Sequence, residues 1–440
     1  MKTLVKLFFT MSVIALLTAQ ERRIGYSEFD LDNGLHVILH EDNTTPIVAV
    51  SVLYHVGSKN EDPKRTGFAH FFEHLMFSGT KNIKPGELDK ILENAGAVNN
   101  AYTTQDYTYY YEILPSNQLE LGLWMESDRM LQLEIDSNSV ETQRKVVKEE
   151  RKQRYDNRPY GSLWENVFKD AYKKHPYRWT PIGSVQYIDK ATIEEFRNFY
   201  KKYYVPDNAT LVIAGDIDKD DAEKLVRKYF KDIPRGTEEI KRPEIIEPPM
   251  TRVVRDTVYD NIQLPLVLYA YRIPKLTSGE IYKLEMLSDL LSDGASSRLK
   301  KELIDNKKLA VNVSSFVYSL EDPGLFVVYA IANYGISADQ LKSALKKELD
   351  KVKTDLPEDY EFTKLQNNVE NQVVSSNSTM EGIAEDLATY HALYNDTDLI
   401  NKQLEQYSSI TKEDILETAK KYLTDNGRLV LLYLPKNKEQ

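Results

Sequence analysis

The run His70-Phe71-Phe72-Glu73-His74 has the residue types and spacing for metal-assisted hydrolysis. On a helix, residues four apart lie on one face, one turn apart. His70 and His74 can therefore hold one ion, and neutral imidazole nitrogens suit zinc while leaving room for a third ligand and a water. Glu73 stands beside His74 and three residues after His70, so its carboxylate can reach that water without ligating. A metal lowers the pKa of water it binds to near 7, and a carboxylate base can then take the proton. Phe71 and Phe72 would pack the helix and dry the site.

The order is the reverse of His-Glu-x-x-His. Two histidines and a carboxylate on an amphipathic helix can also be satisfied by hydrogen bonds alone, so a third ligand matters. The segment Gln143-Arg144-Lys145-Val146-Val147-Lys148-Glu149-Glu150-Arg151 is predicted helical, and both Glu149 and Glu150 are candidates. His36, His40, His55, His175 and His391 are read as structural. Only His36 and His40 share a four-residue spacing, and on a strand that puts them about 13 Å apart.

These residues need elements to position them. Thr66 to Phe77, Pro85 to Asn94, Leu119 to Leu131 and Ser139 to Arg154 read as helices. Val37 to Leu39, Ile47 to Tyr54 and Tyr107 to Ile113 read as strands. Strands and helices do not alternate one for one, so an α+β fold is favoured over a doubly wound parallel sheet. The 440 residues exceed one ordinary domain. The stretch RGTEEIKRPEIIEPPM is rich in Glu and Pro, and its prolines prevent a regular helix. It marks a linker at 236–250 between domains at 20–235 and 251–440. The halves repeat each other. Pro206-Asp207-Asn208 corresponds to Thr424-Asp425-Asn426 at an offset of 218, and Pro46-Ile47-Val48 to Pro265-Leu266-Val267 at 219. One repeat at so long a period means two copies of a domain.

The bulk composition narrows the function. Hydrophobic residues at 41% and charged residues at 28% are globular values. A net charge of −11 lacks the basic footprint of a nucleic-acid binder. The absence of cysteine excludes disulfides and thiolate metal sites. Lys2 and Lys6 precede an apolar run, Leu7 to Ala19, too short to span a bilayer and followed by Gln20-Glu21-Arg22-Arg23. This predicts a signal peptide over 1–19 and an exported protein, periplasmic or extracellular.

The His-x-x-Glu-His order is the inverzincin motif. It resembles the pitrilysin and insulin-degrading-enzyme family, in its mitochondrial-processing-peptidase-like branch. The likeness continues in Gly57-Ser58, Glu61, Gly67-Phe68-Ala69, Phe77-Ser78-Gly79-Thr80, Gly96 to Thr103, Asp106, His175-Pro176, Gly183, Ser296-Ser297-Arg298-Leu299 and Asp322-Pro323-Gly324. The resemblance implies a third zinc ligand 76 positions after the second histidine, which selects Glu150, and one zinc per chain. It also implies two homologous α/β-sandwich domains that form half of a four-domain clam-shell chamber. Asn100 and Ala101 would lie on an edge strand that takes substrate as an added strand, with Phe77 beside them. Asp106 would either orient a zinc-bound histidine or serve in a cap or salt bridge.

The second half departs from this pattern. Glu285, Ser288 and Asp289 fall opposite His70, Glu73 and His74. Where the family's silent half carries a substrate-binding arginine and tyrosine, this chain has Ile304 and Val311. The acidic residue often seen seven before the third ligand is Gln143. The expected function is a zinc-dependent endopeptidase for unstructured peptides, paired with a related chain that lacks the zinc motif, or less readily with itself. The alternatives are a non-catalytic assembly subunit of the same fold and a metal-scavenging protein, which would need no Glu73.

Overall fold

The computed structural model describes residues 23–436, and the predicted signal segment lies outside them. Two antiparallel-rich sheets dominate. The first contains β1 (Ser27–Asp30), β2 (His36–Glu41), β3 (Ile47–Tyr54), β4 (Val98–Thr103), β5 (Thr108–Pro115) and β6 (Ala209–Gly215), in the order β1-β2-β6-β3-β5-β4. The second contains β7 (Val254–Asp260), β8 (Leu266–Arg272), β9 (Ala310–Tyr318), β10 (Leu325–Ala332) and β11 (Arg428–Pro435), in the order β7-β11-β8-β10-β9. Leaving out β1, the two orders correspond strand for strand. The parallel pair β2–β6 has its counterpart in β7–β11. The fold is thus an α+β duplication.

Each sheet buries both faces. In the first half, Leu39, Val50 and Leu211 share a core with the helices of their own half. On the opposite face, Ile38, Ala49, Leu53 and Val212 pack against Met380, Ile383, Ala384 and Leu387, from helix Met380–Thr389 of the second half. The exchange is reciprocal. Leu163, Val167 and Phe168, on helix Leu163–Ala171 of the first half, pack against Leu268, Val327 and Leu431 of the second sheet. Alternation along each strand sends successive side chains to opposite faces, so a strand with apolar residues at nearly every position needs cover on both. β3 and β6 are such strands, with burial along almost their whole length.

Between Phe230 and Val254 the chain forms no helix or strand. It is nonetheless tied down. The Glu247 carboxylate accepts from the backbone N–H groups of Lys173, Lys174 and His175 at 2.7–2.8 Å. Arg242 donates to Asn208 Oδ1 at 2.7 Å.

Candidate metal centre

The histidine-bearing helix spans Phe68–Leu75. Phe68, Phe71, Phe72 and Leu75 follow an i, i+3, i+4, i+7 pattern and are all buried. Phe71 stacks on Phe196 and Phe72 on Phe199, with ring centroids 4.4 and 5.1 Å apart. This packing turns His70, Glu73 and His74 toward a cleft. The helix starts at Gly67, whose φ of 100° is open to glycine. The Glu61 carboxylate caps it, accepting from Gly67 N and Ala69 N at 3.0 and 2.9 Å. Gly183 lies so close behind that a Cβ there would fall 2.3 Å from Gly67 Cα.

The third group comes from helix Ser137–Arg151, capped by Asp136, whose side chain accepts from Ser139 N. Val140, Gln143, Val147 and Glu150 form one stripe on it. Gln143 Nε2 donates to Ser78 Oγ at 3.0 Å, linking this helix to the end of the histidine helix. Glu150 Oε2 then lies 3.0 Å from His74 Nε2 and 3.4 Å from His70 Nε2. Glu149 faces outward, accepting from Gln153 and pairing with Lys152 at 3.8 Å. The two adjacent glutamates are therefore distinct by geometry. Glu150 also receives Arg154 at 2.8 Å.

Two imidazole nitrogens and one carboxylate oxygen, all within 4.8 Å of one another, are the donor set of a three-ligand zinc site. Burial drives the His70 pKa down to about 4, and nearby His74 adds to this, so the imidazole is neutral and free to ligate. Burial opposes the ionisation of Glu150, but the His74 hydrogen bond and the neighbouring charges outweigh it and lower its pKa. Burial raises the Glu73 pKa against the hydrogen bond from Thr103, whose hydroxyl donates to Glu73 Oε2 at 2.7 Å.

These groups open onto a cleft of about 690 Å³, also lined by Phe77, Asn100 and Ala101. Asn100 and Ala101 lie on β4, which ends its sheet and, among the described residues, has no strand on its outer side. The Ala101 N–H is bonded to Asn100 Oδ1 at 2.9 Å, so it points out of the sheet rather than into the ladder with β5. Trp164 and Phe168 also line it, with the Tyr318 ring of β9 against both. These three lie in the exchanged helix and the second sheet, and no local motif marks them.

Residues 36–182 match the family Insulinase (Peptidase family M16), and residues 190–369 match the Peptidase M16 inactive domain. The chain is 32% identical over 424 residues to the zinc protease PqqE of Helicobacter pylori, covering 96% of this chain and 95% of that one. The chain belongs to peptidase family M16. Among solved structures, this M16 chain is similar to a protease from Helicobacter pylori, with a TM-score of 0.90 and 31% identity over 94% of this chain and all of that one. It also shares its fold with the periplasmic protease PqqL from Escherichia coli (TM-score 0.76, 19% identity). There it covers 93% of itself but 47% of PqqL, so the M16 chain corresponds to one half of that longer protein.

The remaining residues singled out by sequence fall elsewhere in this M16 fold. Asp106 contacts neither histidine. It accepts from Tyr177 Oη at 2.5 Å and pairs with Lys59 at 2.9 Å, inside a charged node joining the halves, which resolves its two readings toward the salt bridge. His55 enters that node through Glu321 at 2.9 Å, and His175 lies 3.2 Å from Asp322. His40 Nδ1 bonds the Gly25 carbonyl. In the second half, Glu285 and Asp289 are pushed up to about 7 and 6 by burial, and no histidine joins them. Ile304 packs against the second core, and Val311 is exposed on β9.

Proposed function

We propose that this chain is an exported zinc endopeptidase acting on unstructured peptides. The observation that carries this reading is the convergence of His70, His74 and Glu150 around one point, with Glu73 beside it and the open edge of β4 across the cleft. His70, His74 and Glu150 would hold a zinc ion, and that ion would supply Lewis acidity toward a water and the scissile carbonyl. Glu73 accepts a proton from the attacking water and returns it to the leaving amine. Thr103 fixes the Glu73 carboxylate for both transfers. Substrate adds to β4 as a further strand, its carbonyl replacing Asn100 Oδ1 on the Ala101 N–H. Backbone pairing of this kind grips any extended chain and rejects folded ones. Phe77 contributes an apolar contact for a substrate side chain. The N-terminal basic and apolar segment, together with the periplasmic setting given for PqqL, supports export.

The test compares wild type with Glu73→Gln on a polypeptide in its unfolded and native forms. Wild type cleaves the unfolded form alone. Glu73→Gln keeps its zinc and loses about 10²–10⁴-fold in turnover. Residual activity within a few-fold of wild type, or equal cleavage of the native form, removes the corresponding part of the reading.

Assembly is part of the same proposal. This chain supplies two domains, about half of PqqL, and a closed chamber takes a second chain of similar size. Ile304 and Val311 cannot donate hydrogen bonds to substrate carbonyls. A related chain without zinc ligands but with polar donors at those places would complement this one, which favours a heterodimer over a homodimer. Mixing the two purified chains should raise peptidase activity well above either alone. Full activity from the isolated chain, unchanged by the partner, would sink the heterodimer.

A further inference from the structure

A second group of metal-ligating side chains lies outside the cleft. β1 and β2 pair antiparallel, with Asp30 directly opposite His36. Strand alternation puts Glu28, two residues before Asp30, on the same face of the sheet. That face is the one covered by the second half, and the segment after helix Met380–Thr389 brings His391 onto His36. The two rings stack, with centroids 3.5 Å apart and planes 3° from parallel.

The contacts of the His36 ring are informative. Its Nδ1 lies 2.8 Å from Asp30 Oδ1, and Nε2 points away from Asp30. Nε2 is buried and makes no hydrogen bond. What stands opposite it is Glu28 Oε2 at 3.5 Å, which accepts from the Thr397 hydroxyl at 2.9 Å. A carboxylate behind a histidine, with the second nitrogen turned toward further donors, is the usual support of a histidine metal ligand. His391 completes a set whose donor atoms lie within 4.8 Å of one another.

We propose that Glu28, His36 and His391 form a second metal site, oriented by Asp30, that clamps the two halves together. Two imidazoles and a carboxylate select a late first-row divalent ion such as zinc or nickel over calcium or magnesium. Imidazole lone pairs lie in the ring plane, so stacked parallel rings aim them side by side. Binding an ion therefore fans the rings apart by rotation about χ2, a soft torsion for histidine. Glu28 is partly exposed, giving the ion a path in from solvent.

The test uses the full chain without a polyhistidine tag, carrying His70→Ala and His74→Ala so that the cleft no longer competes. After chelation and dialysis, calorimetric titration with Ni²⁺ or Zn²⁺ should show one ion per chain, and the ion should raise the melting temperature because its ligands come from both halves. Adding His391→Gln or Glu28→Gln should abolish or strongly weaken binding, and Asp30→Asn should weaken it by about 10–100-fold. Glu28 and Asp30 are surface carboxylates, so their variants keep the test decisive if His391→Gln fails to fold. No binding in the cleft-deficient chain, or binding indifferent to His391 and Glu28, overturns the proposal. In that case His36 is only a polar bridge between Asp30 and Glu28.

Discussion

At the scale of single residues, the candidate centre depends on which of two neighbouring glutamates faces inward. Helix geometry separates residues 149 and 150 by about 100° around the axis, at 3.6 residues per turn. Glu150 shares its stripe with Val140, Gln143 and Val147, which pack toward the histidine helix, and Glu149 pairs with Lys152 in solvent. Glu150→Gln should therefore lower zinc affinity sharply, and Glu149→Gln should leave it within a few-fold of wild type. Metal content after dialysis against a weak chelator measures both. Equal loss in the two variants would contradict the geometry.

At the scale of elements, the exchanged helices decide how the chain is held together. Leu387 is fully buried on helix Met380–Thr389, yet its neighbours Leu53 and Val212 belong to the first sheet. Leu387→Ala should cost about 2–5 kcal/mol, as for other large-to-small core changes. The informative reading is where that loss appears. Hydrogen exchange should speed up in β3 and β6 as well as around residue 387, because the deleted methyl groups covered those strands. Exchange confined to the second half would show that the helix contributes little to the first.

At the scale of the whole molecule, a buried charge node joins the halves beside the cleft. Lys59 is 3% exposed and pairs with Asp106 of its own half and with Glu321 of the other. Burial alone would raise the Glu321 carboxyl, but His55 and Lys59 outweigh it and hold it at about 2. A carboxylate whose folded pKa is depressed stabilises the fold above its unfolded value of 4.5 and loses that contribution as pH falls through 2. At neutral pH the contribution is roughly 3 kcal/mol, from 1.36 kcal/mol per pKa unit. Denaturation midpoints should therefore fall steeply between about pH 4.5 and 2, and Glu321→Gln should lower the neutral-pH midpoint and flatten that slope. The same variant should leave any acid sensitivity arising from surface pairs unchanged, because solvent and salt screen those.

The sequence alone carried the parts of this protein that are local or periodic. The four-residue histidine spacing, the apolar stripe of Phe68, Phe71, Phe72 and Leu75, and the repeat between Pro46 and Pro265 are all legible because helix and strand periods are fixed by backbone geometry. The α+β duplication followed from the same patterns. Residues 149 and 150 could not be told apart by local pattern, and a family resemblance was needed to prefer Glu150. Other features needed the tertiary fold. Thr103 reaches Glu73 because β4 packs against the histidine helix, and Trp164, Phe168 and Tyr318 meet at the cleft because the halves exchange helices. His36 and His391 are 355 positions apart and share no motif, yet their rings stack. Contacts of that kind depend on which face of a sheet another domain covers, and an alternating or doubly buried strand records only that something covers it, not what.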